Sequence, residues 1–216
     1  MKKVEQEVEI PVGNTAIESS LSIPSEAKGI VLFAHGSGSG RFSPRNRYVA
    51  KMLNEAGVGT LLVDLLTKEE ETVDVATGEF RFNIDLLSKR LVAATEWLMK
   101  NPATKNLILG YFGASTGAAA AIIAAAKFPE AVKAVVSRGG RPDLAMDYLW
   151  RVKAPTLLIV GGRDAVVIDL NKKALERLKV EKKLEVVPGA SHLFEERGKL
   201  EEVARLSAEW FVAHFR

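Results

Sequence analysis

The sequence predicts an α/β domain in which a mainly parallel, eight-stranded sheet is covered by helices on both faces. Three observations carry this. Short apolar runs alternate with amphipathic stretches from residue 29 to the end, as strands linked by crossover helices do. Runs such as Gly29–Ala34 (GIVLFA) are apolar without interruption, as a parallel strand buried on both sides requires. Finally, 216 residues suffice for one such core, so residues 1–216 are expected to form a single domain.

In chain order, alternating segments at Val4–Pro11 and Thr15–Ile23, joined at Gly13-Asn14, predict an antiparallel hairpin at one sheet edge. Gly29–Ala34 is the first buried strand and opens into the glycine-rich loop His35–Gly40. A helix follows from Pro44 to Ala56, with Tyr48, Met52 and Leu53 as its apolar stripe and Gly57 as its stop. Thr60–Asp64 is the next strand. Lys68–Glu79 (KEEETVDVATGE) has no apolar period and is expected to be a mobile polar loop. Ile84, Leu87, Leu91, Ala94 and Leu98 recur at helical spacing and predict a helix over Asn83–Lys100. The strand Asn106–Tyr111 then leads through a tight turn into an alanine-rich helix. Further strands are expected at Ala131–Ser137, Thr156–Val160 and Leu184–Val187, with helices over Asp169–Leu178 and from Gly198 to the C-terminus.

Composition excludes several classes. A net charge of +3 comes from basic residues interleaved with acidic ones, so no nucleic-acid partner is implied. There is no cysteine, which rules out disulfides, thiolate metal sites and a cysteine nucleophile. The charged N-terminus lacks the apolar core of a signal peptide, and no apolar run approaches the ~20 residues of a membrane span. The expectation is a cytoplasmic protein with no membrane partner, a monomer or homodimer.

The chemistry is concentrated at Gly113-Ala114-Ser115-Thr116-Gly117. This G-x-S-x-G pattern lies between a strand and a helix, where a sharp reversal strains the central residue and the flanking glycines remove a collision. Ser115 would then project its hydroxyl above the sheet at the positive end of the helix. A serine hydroxyl needs a base. Of the three histidines, His214 falls inside the terminal helix. His35, at the end of a strand, is better suited to fixing the glycine loop by hydrogen bonds. His192, in the loop after the last strand, is the candidate base. Asp164 ends the strand TLLIV through Gly-Gly-Arg and is the candidate acid, with Asp143 and Asp147 as substitutes. The order Ser, Asp, His is the one this type of sheet produces. The oxyanion would take the amides of Thr116 and of Ser37, with Gly36 next to it. The glycine loop lacks the G-K-[ST] ending of a P-loop, and a nucleotide site fits poorly.

With VLFAHGSGSG, GYFGASTGAAAA, LLIVGGRD and PGASHLF in this order, nearly the whole chain resembles an α/β-hydrolase of the dienelactone-hydrolase-like group. The resemblance implies an eight-stranded sheet and a Ser115–His192–Asp164 triad needing no metal or cofactor. Dienelactone hydrolases proper carry a cysteine nucleophile where this chain has Ser115. The expected activity is that of a carboxylesterase-type serine hydrolase on a small-molecule ester. An acyl- or peptide-transferring relative and a non-catalytic binding scaffold are the alternatives. An epoxide hydrolase or dehalogenase would need an aspartate at Ser115.

The interval between the strands at Val135 and Thr156, roughly twenty residues, is too short for a helical lid domain. An open, shallow pocket is therefore expected; Leu65, Leu66, Phe42, Met146 and Trp150 either line it or serve as ordinary packing. Arg138, directly after a strand, would face the same rim, either binding a substrate carboxylate or phosphate or pairing with Asp143, Asp147 or the acid loop. Arg41, Arg45 and Arg47 are expected to form a solvated helix entry.

Overall fold

The computed structural model describes residues 3–216. Its strands are β1 (Lys3–Val12), β2 (Thr15–Pro24), β3 (Gly29–Ala34), β4 (Gly59–Val63), β5 (Ile108–Ala114), β6 (Val132–Arg138), β7 (Thr156–Gly161) and β8 (Lys182–Val187). The helices are α1 (Pro44–Glu55), α2 (Lys68–Thr77), α3 (Ile84–Lys100), α4 (Thr116–Lys127), α5 (Met146–Leu149), α6 (Ala165–Arg177) and α7 (Lys199–His214). The strands form one sheet in the order β1-β2-β4-β3-β5-β6-β7-β8. The pairs β1–β2 and β2–β4 are antiparallel, and every other pair is parallel.

Alternation along the buried strands builds two cores. β3 sends Ile30, Leu32 and Ala34 to one side, where they meet Tyr111, Val135 and the apolar residues of α3 and α4. Val31 and Phe33 go to the other side and pack with Phe112, Val136, Leu53 of α1 and Phe211 of α7. A run that must be apolar on both faces cannot alternate in polarity, which is why these strands read as unbroken hydrophobic stretches. α4 lies against the sheet on Ala118–Ala125, all buried; small side chains permit that close approach. Because β3 to β8 run in one direction, His35, Asp64, Ser115, Arg138, Asp164 and His192 all emerge at the same carboxyl edge, where sites of open α/β sheets form.

Four expectations change. Lys68–Thr77 is a helix, with Thr67 as N-cap in a reciprocal capping box with Glu70 and Gly78 as a left-handed C-cap. Its faces are polar because it is held by ions: buried Asp74 pairs with Arg81 at 2.6 Å, and Glu70 pairs with Arg90 of α3 at 2.6 Å. β5 continues to Ala114 because Gly113 and Ala114 still pair with Ala34, Ser137 and Arg138; the reversal takes a single residue. α6 begins at Ala165, directly after the acid loop. Arg41 is no solvated charge: its side chain is 10% exposed and binds Glu18 and Asp64, tying the glycine loop to β2 and the end of β4.

Between β6 and β7 the chain forms only a 3-10 turn at Pro142–Ala145 and the single turn α5, so no lid domain is inserted in this connection. Among the described residues no helix is long and apolar enough to cross a membrane.

Candidate active site

Ser115 occupies the corner between β5 and α4 with φ 50° and ψ −122°. Positive φ in a residue with a Cβ is strained and persists only where neighbours hold it. They do so here from three sides. The Ser115 amide donates to the Arg138 carbonyl at 3.3 Å, and the Ser115 carbonyl accepts from Ala118 at 3.1 Å and Arg141 at 3.0 Å. A Cβ on Gly113 would strike the backbone of Ala118, and one on Gly117 would strike the carbonyls of Ala34 and His35. The flanking glycines thus make room for α4 and for the end of β3.

His192 Nδ1 lies 2.6 Å from Asp164 Oδ2. Asp164 stands at the N-cap of α6 yet makes no capping bond, so its carboxylate is committed to the imidazole. The ring also lies against Gly139, where a Cβ would come within 3.5 Å of Nδ1. Gly139 adjoins Arg138, whose carbonyl receives the Ser115 amide, so the imidazole and the serine share one small stretch of the edge. Among the described residues Asp164 is the imidazole's hydrogen-bond partner; a base–nucleophile contact commonly tightens only when substrate binds.

The glycine loop closes the third side. Gly36 abuts Ser115, whose Cβ would be 2.9 Å from a Cβ at position 36. Ser37 Oγ is 3.2 Å from Thr116 Oγ1, bringing together the two residues expected to supply oxyanion donors. The Thr116 amide opens a helix and so has no partner within it. His35 is buried and donates from Nδ1 to the Gly36 carbonyl at 2.9 Å, while Nε2 accepts from the Leu65 amide at 2.9 Å. One donor and one acceptor fix a single neutral tautomer. Burial holds the His35 pKa below its ordinary value, against the opposing pull of the Gly36 carbonyl, Asp64 and Glu71.

Two substrate-contact expectations are corrected. Leu65 is fully buried in the core and offers the site only its amide, through His35. Arg138 is buried, not on the rim, because its position in β6 directs it beneath α1, where Nη2 donates to Asn46 Oδ1 at 3.1 Å. Neither Asp143 nor Asp147 is its partner; Asp143 binds Arg141 at 2.8 Å. Burial, and then repulsion from Arg45, push the Arg138 pKa down to about 10. Of the other proposed lining residues, Leu66 borders a cleft beside the glycine loop, Phe42 and Trp150 are exposed, and Met146 packs on the core. His214 lies away from the edge, bound to the Trp210 carbonyl at 2.7 Å.

Sequence reading passed over Glu196. It accepts from the Ser191 amide at 3.0 Å and pairs with Arg163, joining the histidine loop to the acid loop. No motif marks it, since its partners come from another strand connection. Among the described residues no group of three or more His, Asp or Glu side chains is arranged to hold a metal.

The dienelactone hydrolase family profile matches residues 17–212. A dienelactone hydrolase from Anabaena variabilis, known from a crystal structure, is 58% identical, with each chain covered in full and a TM-score of 0.98. A Mycobacterium tuberculosis protein provisionally named a phosphoribosyl transferase is 54% identical over 210 residues, which are 97% of this chain and 46% of that one. The chain therefore spans about half the length of the curated relatives it matches. An esterase from Pyrococcus furiosus shares the fold, with a TM-score of 0.78 at 19% identity over 99% of this chain and 94% of that one.

Proposed function

This chain belongs to the dienelactone hydrolase family, and on that premise we propose that it is a serine hydrolase cleaving small carboxylic esters through an acyl-enzyme on Ser115. The observation that carries the reading is the 2.6 Å bond between His192 and Asp164 at the same edge as the strained Ser115. In this reading His192 Nε2 takes the proton as Ser115 Oγ attacks the ester carbonyl. The Thr116 and Ser37 amides stabilise the oxyanion, and Asp164 holds Nδ1–H and stabilises the imidazolium. The tetrahedral intermediate collapses, the C–O bond to the alcohol breaks, and His192 returns its proton to the departing oxygen. Water then attacks the acyl carbonyl with His192 as base, and collapse gives the acid and restores Ser115.

The serine nucleophile favours an ordinary ester over the lactone for which the family is named. The short β6–β7 connection favours short acyl chains, since there is little apolar surface to hold a long one. The transferase name belongs to proteins of which this chain covers less than half.

The test is hydrolysis of p-nitrophenyl acetate, butyrate and octanoate by the wild type and Ser115→Ala. Turnover of the short esters with loss of about 10⁴-fold or more in the variant is expected. Equal, slow hydrolysis by both proteins, with no labelling of Ser115 by an organophosphonate, would overturn the reading in favour of a binding scaffold.

A further inference from the structure

Beside the glycine loop lies a cleft of about 240 Å³ bordered by Gly36, Ser37, Leu66, Glu71, Asp74 and Arg81. Gly36, which borders the cleft, also abuts Ser115, so the cleft is the recess nearest to one arm of an ester bound at Ser115. The charges around it are mostly spent. Asp74 is buried and engages Arg81 through Nε at 2.6 Å and through the Arg81 amide at 2.9 Å. Asp64 is held by Arg41. Lys68, on the same helix, is held by Glu18. His35, which also lines it, is held as a neutral tautomer by its bonds to the Gly36 carbonyl and the Leu65 amide. Glu71 remains: it is exposed, borders the cleft, and has no cationic partner among the described residues.

We propose that Glu71 makes this site selective for esters carrying a cationic, ammonium-type group on the arm that enters the cleft. The inference rests on the esterase reading of Ser115 and adds the substrate class. A carboxylate at a partly enclosed wall attracts an ammonium and repels a carboxylate, by an amount set by separation and local dielectric. Arg81 is the competing feature, because its Nη1 faces Gly38 at the cleft mouth. Its charge is already balanced by Asp74, so the uncompensated charge is the negative one.

The test compares kcat/KM for esters matched in shape and differing in charge. Acetylthiocholine is set against its neutral isostere, 3,3-dimethylbutyl thioacetate, which varies the alcohol arm. p-Nitrophenyl 4-(trimethylammonio)butyrate is set against p-nitrophenyl 5,5-dimethylhexanoate and the p-nitrophenyl hemiester of glutarate, which varies the acyl arm. In one of the two sets the wild type should prefer the cation over its neutral isostere roughly 5- to 15-fold at low salt, less as salt rises. Glu71→Gln should bring that ratio to about 1 and Glu71→Lys should invert it, whereas Glu69→Gln, on the same helix, should leave it as in the wild type. A wild-type ratio near 1 in both sets, or a ratio that survives Glu71→Gln, overturns the proposal. A preference for the anionic ester does so as well and assigns the cleft to Arg81. Failure of the underlying reading looks different: no ester, p-nitrophenyl acetate included, is turned over and Ser115 resists the organophosphonate, and the selectivity proposal falls with it.

Discussion

His192 and Asp164, twenty-eight residues apart, meet at 2.6 Å through Nδ1 and Oδ2, and this bond leaves α6 without a side-chain cap at its N-terminus. An aspartate at a helix N-cap ordinarily contributes about 1 kcal/mol by bonding the first turn. Here the carboxylate turns to the imidazole, so local stability is traded for orientation of the ring.

Asp164→Asn should therefore fold but lose kcat by about 10³- to 10⁴-fold, because an amide that donates to Nδ1 leaves the wrong tautomer facing Ser115. Steady-state hydrolysis of p-nitrophenyl acetate, with circular dichroism as the folding control, measures this. A loss under tenfold would mean that another group orients His192.

Gly117→Ala places a methyl against the carbonyls of Ala34 and His35, backbone atoms that cannot rotate away. A destabilisation of about 3 kcal/mol or more is expected in urea unfolding, or failure to express as a folded protein. Gly57→Ala provides the comparison. It sits at positive φ with open space around it, and should cost about 1 kcal/mol.

His35 gives stability a defined pH dependence. Its folded-state pKa is lowered by burial from an ordinary value of 6.5. Below that pH the unfolded chain binds a proton that the folded chain refuses, so this contribution to stability is lost as pH falls. The slope from this one group is at most about 1.4 kcal/mol per pH unit. Urea unfolding between pH 7.5 and 5 should show that slope in the wild type and a shallower one in His35→Asn. Parallel curves would mean that His35 takes up its proton equally in the folded and unfolded states.

Arg138 should prove dispensable as a charge. Burial and Arg45 depress its pKa to about 10, and its Nε has no hydrogen-bond partner among the described residues. Arg138→Met keeps most of the volume and removes the cost of a buried, weakly compensated cation; unfolding free energy should change by less than about 1 kcal/mol. Arg138→Ala should lose about 3 kcal/mol through the cavity it leaves. Selectivity between anionic and neutral esters should be unaltered in the methionine variant, which would confirm that Arg138 does not contact substrate.

The sequence by itself determined the layered architecture, the order of strands and helices, and the identity of the Ser115 corner. These depend on signals that act over a few residues: unbroken apolar runs, helical periodicity, and glycines where a Cβ cannot fit. It also ordered Ser115, Asp164 and His192 along the chain, because a parallel sheet sends every strand's exit to one edge. α2 was legible too, in the Thr67-Lys68-Glu69-Glu70 capping box, but the absence of an apolar stripe hid it. Its buried side is held by the Asp74–Arg81 and Glu70–Arg90 pairs, and ion pairs have no periodicity.

Only the tertiary structure decided where the side chains at the edge point. Arg138 closes β6 and Leu65 follows β4, and both looked like rim residues. Strand register turned one under α1 and the other into the core. Glu196 joins two loops, and Glu71 faces a cleft, because of contacts between elements distant in sequence. Local pattern fixes which segments form strands and helices, through backbone sterics and hydrophobic burial. The partner of a charged side chain is set by packing of the whole chain, since the Coulomb and hydrogen-bonding terms act across space without regard to sequence separation.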